Sequence, residues 1–571
     1  MAAALALAVG ACGPAVPSGT GPTASGVPAP SIQAAASPAA APSAAAACVP
    51  AVTPVAKPWN AGVWYEVFVR SFADRNGDGV GDLRGLTSRL SYLNDGNAAS
   101  TTDLGVSGLW LMPIFKAASY HGYDVIDYRT IDPDYGTLAD FRALVAAAHQ
   151  RGVKVILDLV LNHTSDQNPW FKASAAGDPA YRDWYIWSDT DPGYLGPQGQ
   201  TVWHPLGGRY YYGVFGANMP DLNLRNPAVT AELKGVAKYW LDQGADGFRL
   251  DAIPYLIEDG QKQFSTPETL AWLRDFEASV KADKPDAMTI GEVWADSSIA
   301  AKYVPASADL TFDFDLAGAA VASVQTGQPS TLASAIGQTA TAWPANQEGT
   351  FLTNHDQARV MSQLGGQTDS AKLAAFLLMT EPGVPWIYYG EEVGLAGNKP
   401  DPQIRTPMPW TANPRTGGFT TGTPWEPLAP GTAAANVATE SADPSSLLHE
   451  YRSLIRLHDA QAALRAGATV PVAATGSVVA WLRTTADDVQ LVLANTSASV
   501  ATDATLTLDS GPLCSTRVEA AATPVLATVN FAQAPATAVA PVRTASGGFN
   551  AYRPFEALPP RAAAVIDLGR P

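Results

Sequence analysis

Three carboxylates stand at the ends of apolar runs. Asp251 closes Gly247-Phe248-Arg249-Leu250-Asp251, and Glu292 closes Met288-Thr289-Ile290-Gly291-Glu292. Asp356 follows Gly349-Thr350-Phe351-Leu352 within Thr353-Asn354-His355-Asp356. A charge placed directly after a buried strand is costly unless the strand ends at an open mouth. One such carboxylate reads as a rim salt-bridge residue. Three at successive strand ends read as a shared pocket. Two carboxyl groups roughly 5–5.5 Å apart can cleave a glycosidic bond with retention, one as nucleophile and the other as acid and base.

The elements that must position them form a repeating pattern. The apolar runs are Val63–Phe68, Gly108–Met112, Val153–Leu159, Gly247–Asp251, Met288–Glu292, Leu310–Phe314, Gly349–Leu352 and Val384–Tyr389. They alternate little, as parallel strands buried on both faces do. Between them, Leu138–Gln150, Ala231–Gln243 and Thr269–Lys281 have helical apolar faces, and Ser370–Met379 reads as a buried helix. Eight strand–helix pairs predict an α/β protein, a (β/α)8 TIM barrel with its reactive groups at the C-terminal strand ends. The barrel is assigned residues 57–163 and 226–462, with a last helix over Asp443–Asp459. Residues 164–225, rich in Trp, Tyr, Gly, Pro and Asp, are too long for a structureless loop and predict a small inserted domain after the third strand. Residues 463–571 show short alternating runs and predict a C-terminal antiparallel β-sandwich.

Residues 1–56 contain no Asp, Glu, Lys, Arg or His. An apolar run, Ala2–Val9, leads to Val9-Gly10-Ala11-Cys12, and Ala, Pro, Ser, Gly and Thr dominate from there to Ala56. Small residues ahead of Cys12 resemble a bacterial lipoprotein cleavage site, although the basic stretch of a secretory signal is missing. The expectation is an exported, extracellular or cell-surface protein with a lipid anchor at Cys12 and a flexible tether behind it. Cys48 and Cys514 either pair in an oxidising compartment or remain two free thiols.

Composition excludes other classes. Of 571 residues, 53 are Asp or Glu and 36 are Lys or Arg, giving a net charge of −17, which argues against a nucleic-acid partner. No apolar run reaches the length of a membrane span. Fifteen Trp and nineteen Tyr offer flat faces that suit sugar rings, although aromatics more often fill cores. A monomer is expected.

Asp74-Arg75-Asn76-Gly77-Asp78-Gly79-Val80-Gly81-Asp82 places oxygen side chains at alternate positions, with glycines for a sharp turn. That spacing suits a hard cation such as Ca2+; the alternative is an Asp/Gly turn without an ion.

Four motifs together resemble the α-amylase superfamily of glycoside hydrolases, from Trp59 to the C-terminus. They are Asp158-Leu159-Val160-Leu161-Asn162-His163, Gly247–Asp251, Gly291-Glu292-Val293-Trp294 and Thr353–Asp356. Each alone is short; four in order at the right strands are specific. The resemblance implies that Asp251 is the nucleophile, Glu292 the acid/base, and Asp356 a carboxylate that grips sugar hydroxyls as the ring distorts. It implies that Arg249 keeps Asp251 ionised and oriented, that His163, His355 and Arg405 bind substrate, that Tyr123 stacks on the cleaved sugar, and that Asp158 supports the pocket. The loop resembles the calcium loop of oligo-glucosidase-like members, with Asp74, Asn76, Asp78, the Val80 carbonyl and Asp82 as ligands of a structural Ca2+.

Asn218-Met219-Pro220-Asp221-Leu222-Asn223, Ile404–Trp410 and Gly417-Gly418-Phe419 resemble the group between oligo-1,6-glucosidases and neopullulanases. Exo-acting relatives usually carry Asp three residues before the stacking Tyr, where this chain has Tyr120. The expectation is an α-amylase-like enzyme cleaving α-1,4-glucans endo-wise, with transglycosylation. An α-glucosidase, a trehalose synthase or a sucrose-active enzyme is the alternative. A catalytically silent carbohydrate-binding protein is the alternative outside enzymes, and retention of all three carboxylates argues against it.

Overall fold

The computed structural model describes residues 48, 57, 59–60, 62–514 and 522–570. The anchor expected at Cys12 and nearly all of the expected tether fall outside the described residues. Eight parallel strands close a barrel. They are β1 (Trp64–Val67), β2 (Gly108–Leu111), β3 (Lys154–Val160), β4 (Gly247–Asp251), β5 (Met288–Gly291), β6 (Leu310–Phe312), β7 (Glu348–Phe351) and β8 (Val384–Tyr388). Each lies within or beside one of the runs read from the sequence.

Side-chain alternation divides the barrel into two cores. Trp64, Trp110, Ile156, Met288, Ile290, Phe312, Phe351 and Trp386 point inward and pack on one another, with Trp64 stacked on Trp386 at 5.0 Å. The residues between them, such as Tyr65, Leu109, Leu157, Phe248 and Leu250, join the larger core beneath the helices. The period of two along a strand then fixes what stands above the aromatic floor. Glu66, Asp158 and Glu292 each lie two residues beyond an inward Trp64, Ile156 or Ile290, and Arg249 and Asp251 share that parity. Register completes the layer: Arg249 is paired with Asp158 on one side and with Ile290 on the other.

The helices Leu138–His149, Pro227–Asp242, Pro267–Asp283 and Thr368–Thr380 cover the barrel. Thr137 and Asp140 form a capping box at the first of them. The helix expected over Asp443–Asp459 runs Leu447–Ala460, starting four residues later, and the short helix Ala462–Ala466 follows it. Ser446 caps the longer helix, and Asp443 is spent on the turn before it, where its carbonyl accepts the Ser446 N–H at 3.0 Å. No helix among the described residues is long and apolar enough to cross a membrane.

The segment after β3 is ordered: the helix Pro169–Ala175 and a three-stranded sheet of Trp187–Ser188, Trp203–Leu206 and Arg209–Tyr212. Beyond the barrel, an antiparallel sheet of eight strands forms the C-terminal β domain. Along Val478–Thr484 one face (Val478, Ala480, Leu482) packs in the domain's own core, and the other (Val479, Trp481) packs on the barrel's. Trp481 Nε1 donates to the Thr380 carbonyl at 3.0 Å across that junction. Cys48 and Cys514 are joined as a disulfide, with Cα atoms 5.6 Å apart.

Gly247 opens the strand that carries Arg249 and Asp251. Its φ is +148°, and a Cβ there would lie 1.9 Å from the Met288 carbonyl oxygen. Gly247→Ala must therefore push β4 from β5, with an expected loss of at least ~2 kcal/mol. An unchanged midpoint in denaturant unfolding would contradict this account of the register.

Candidate active site

Arg249 is the centre of the site. It is 1% exposed, and its two terminal nitrogens reach three carboxylates. Nη1 donates to Asp158 Oδ1 at 2.8 Å and to Asp251 Oδ1 at 2.6 Å; Nη2 meets Glu292 Oε2 at 2.8 Å. One guanidinium cannot balance three buried anions, so a proton is retained among them. Burial outweighs the attraction of Arg249 and pushes Glu292 up to about 8, with Asp251 and Asp356 adding like-charge repulsion. Burial also raises Asp251, and raises Asp158 to about 7.

The chain bends sharply after the nucleophile candidate. Ala252 has φ +46°, a conformation that costs energy for a residue with a Cβ. The bend aims its N–H at Glu292 Oε2, at 3.0 Å. Strain is thus placed where it orients a carboxyl group.

Opposite this group stands His355, fully buried. Its Nδ1 lies 2.6 Å from Glu66 Oε1. Its Nε2 lies 2.5 Å from the Tyr123 hydroxyl and 3.3 Å from Asp356 Oδ2. Burial pushes His355 well below its ordinary value, helped by the Arg405 and Arg249 charges, and pushes Glu66 well above its own. The pair is therefore held neutral. Nδ1 faces Glu66, and Nε2 faces Asp356 and Tyr123. Tyr123 stacks on His355 at 5.5 Å and 13°, and its hydroxyl donates to Asp158 Oδ2 at 3.1 Å. Trp110 Nε1 donates to the same oxygen.

Asp356 is the most open of the three strand-end carboxylates, its side chain 30% exposed against 10% and 11% for Asp251 and Glu292. Arg405 braces it: Nη2 donates to Asp356 Oδ1 at 2.9 Å and to Asp401 Oδ2 at 3.2 Å, while Nε donates to the His355 carbonyl. Arg405 is itself 2% exposed. His163 is buried with Nε2 unpartnered, and burial lowers it to about 3, so it is neutral and free to bond a hydroxyl. On the Glu292 side the walls are aromatic. Tyr255 meets Phe215 and Phe264 at 5.3 and 5.2 Å, and the half-exposed Trp294 stacks on Phe314 at 4.8 Å.

The structure thus gathers Asp251, Glu292, Asp356, Arg249, Asp158, Tyr123, His355 and Arg405 into one connected group. Glu66, Trp110 and Asp401 were missed in the sequence. Glu66 was visible as a lone carboxylate inside the apolar run Val63–Phe68; Trp110 and Asp401 carried no such signal.

The proposed metal ligands lie apart from these contacts, in a turn of their own. Asp74 accepts the N–H groups of Gly77 and Gly79, Asp78 accepts Val80 N–H, and Asp82 accepts those of Arg75, Asn76 and Gly85. Among the described residues no three His, Cys, Asp or Glu side chains form a ready-made ion cage.

Residues 66–467 match the alpha amylase catalytic domain. Alpha-amylase 3 of Dictyoglomus thermophilum is 40% identical over 408 residues, covering 70% of this chain and 78% of that protein. The oligo-1,6-glucosidase of Parageobacillus thermoglucosidasius is 33% identical over 480 residues, covering 70% and 83%. Among solved structures, an alpha-amylase from H. orenii superposes with a TM-score of 0.76 at 37% identity, covering 89% of this chain and 99% of that one. A barrel whose fourth, fifth and seventh strands deliver Asp251, Glu292 and Asp356 around one arginine, and which matches these relatives over most of its length, belongs to the α-amylase family of glycoside hydrolases.

Proposed function

We propose that this enzyme cleaves α-1,4-glucans such as starch and maltodextrins internally, with retention of configuration. The observation that carries the mechanism is the shared arginine: Asp251 and Glu292 sit on the two terminal nitrogens of Arg249. Both carboxyl groups are thereby held on one guanidinium, as a nucleophile and an acid/base serving one bond require. Asp251 attacks the anomeric carbon and forms a glycosyl ester. Glu292, protonated at neutral pH, gives its proton to the departing oxygen and then takes one from the attacking water. Asp356, with His355 and His163, bonds sugar hydroxyls more tightly as the ring distorts.

Tyr120 supports the endo reading, because an aromatic ring stands where exo-acting relatives hold a carboxylate for the chain end. The relatives named above include both an amylase and an oligo-1,6-glucosidase, so the substrate is assigned on this residue. Aromatic walls on the Glu292 side suit a sugar acceptor that competes with water, which supports transglycosylation.

We also propose that the Asp74–Asp82 loop holds Ca2+. Its donors are all oxygen, as a hard cation requires, and the carboxylates keep lone pairs beyond those that accept backbone N–H groups. Bound there, the ion would staple the loop. Export fits the Cys48–Cys514 bond, which persists in oxidising compartments.

Starch viscosity should fall well before reducing ends reach completion; release of glucose alone at constant viscosity would defeat the endo reading. Asp251→Asn should lower kcat by at least ~1,000-fold, about 4 kcal/mol of barrier. Because the acid must be protonated and its pKa lies near 8, kcat/KM should decline as pH rises through about 8. An alkaline limb near pH 5 would contradict burial of Glu292. Excess chelator should lower the melting temperature by roughly 5 °C, restored by Ca2+, and Asp78→Ala should abolish the difference.

A further inference from the structure

One segment, residues 419–425, joins the Asp74–Asp82 loop to the site. Asp74 N–H donates to the Phe419 carbonyl at 3.0 Å, Thr420 Oγ1 donates to Asp74 Oδ2, and Trp425 N–H donates to the Gly79 carbonyl at 2.9 Å. The two backbones touch because glycines stand at the crossings. A Cβ at Gly79 would lie 1.9 Å from the Thr423 carbonyl oxygen, and one at Gly422 would lie 2.3 Å from that of Gly77.

The segment delivers one indole. Trp425 Nε1 donates to Ser71 Oγ at 3.0 Å, its ring lies edge-on to Phe68 at 6.0 Å, and the Arg70 guanidinium sits 5.2 Å over it. Its remaining aromatic neighbour is Tyr120, at 5.4 Å and 31°. Both rings are partly exposed. Tyr120 in turn lies 6.0 Å beneath Arg405, the cation that braces Asp356. From Tyr120 a groove of about 420 Å3 continues past Ser119, Lys116 and Arg70 to Asp132 and Asp134.

The chemistry of the site gives this wall a direction. A general acid stands on the leaving-group side, and Tyr255 is near enough to Glu292 to feel its charge. The charges around Tyr120 are those of Arg405, Asp401, Glu426 and Asp356. We propose that Tyr120 and Trp425 form the surface on which the glucan's second and third glucosyl rings rest, on the non-reducing side of the cleaved bond, and that the Asp74–Asp82 loop sets its position. The C–H faces of glucose pack on the rings, and its hydroxyls reach Arg70, Lys116, Ser119 and the two aspartates. This inference rests on the glucan-hydrolase reading above.

The test uses 4-nitrophenyl α-glucoside, α-maltoside and α-maltotrioside, counting nitrophenol release. For the full enzyme kcat/KM should rise with glycone length. In Trp425→Ala the maltotrioside-to-glucoside ratio should fall about tenfold, and Trp425→Phe should restore most of it. Asp74→Ala should lower the same ratio at least threefold. A ratio within twofold of wild type in Trp425→Ala overturns the wall. A ratio unmoved in Asp74→Ala, with only the melting temperature lowered, overturns the coupling. Wild-type enzyme inert on all three glycosides and on starch would overturn the glucan-hydrolase reading, and the wall with it.

Discussion

The site depends on a single charge imbalance. Arg249, sealed from water, faces Asp158, Asp251 and Glu292 within hydrogen-bond distance. A fully ionised cluster would leave excess negative charge in a low-dielectric interior, so one proton stays. Retention of a proton beside an ionised neighbour is what separates an acid from a nucleophile when both are carboxyl groups. Here the separation follows from position. Glu292 is pushed up by burial and by two neighbouring aspartates, while Asp251 takes the shortest bond to the arginine.

The scaffold makes that imbalance tolerable. Inward tryptophans fill the barrel below the cluster, and Trp110 lies 5.1 Å from the arginine's central carbon, so the cation has an aromatic face as well as its anions. The parity of the strands raises Glu66, Asp158, Arg249 and Glu292 to one layer, and Ala252 accepts an unfavourable backbone angle to complete it. The C-terminal β domain meets the barrel through Trp481 and the end of the helix Thr368–Thr380, a contact that buries apolar surface.

Family membership fixes the reaction class and leaves the substrate to the loops, as fold and function generally divide. The relatives here include an alpha-amylase, an oligo-1,6-glucosidase and a trehalose synthase/amylase. In this chain the aromatic residues flanking the carboxylates are carried on connections: Tyr120 after β2, Tyr255 after β4, Trp294 after β5 and Trp425 beyond β8. The large aromatic content is divided accordingly. Trp64, Trp110, Trp240, Trp386 and Trp481 are fully buried and serve packing, and the exposed minority lines the approaches to the carboxylates.

The eight apolar runs determined the barrel, because strands buried on both faces tolerate few polar residues and so stand out in a linear text. The same logic exposed Asp251, Glu292 and Asp356, charges that such runs can end on only at a mouth. The start of the helix after the barrel strands was misplaced by four residues, since Asp443 serves as well in a turn as at a cap. Glu66 was written inside the first run, yet its partner His355 lies 289 positions away, and no spacing rule links them. The pairing of Trp425 with Tyr120, and the disulfide left open between Cys48 and Cys514, are of the same kind. Residue type and local period settle which face of a strand a side chain occupies. Only closure of the barrel decides which distant side chains share a proton, a guanidinium or a ring face, because those contacts depend on register between elements that the chain order does not encode.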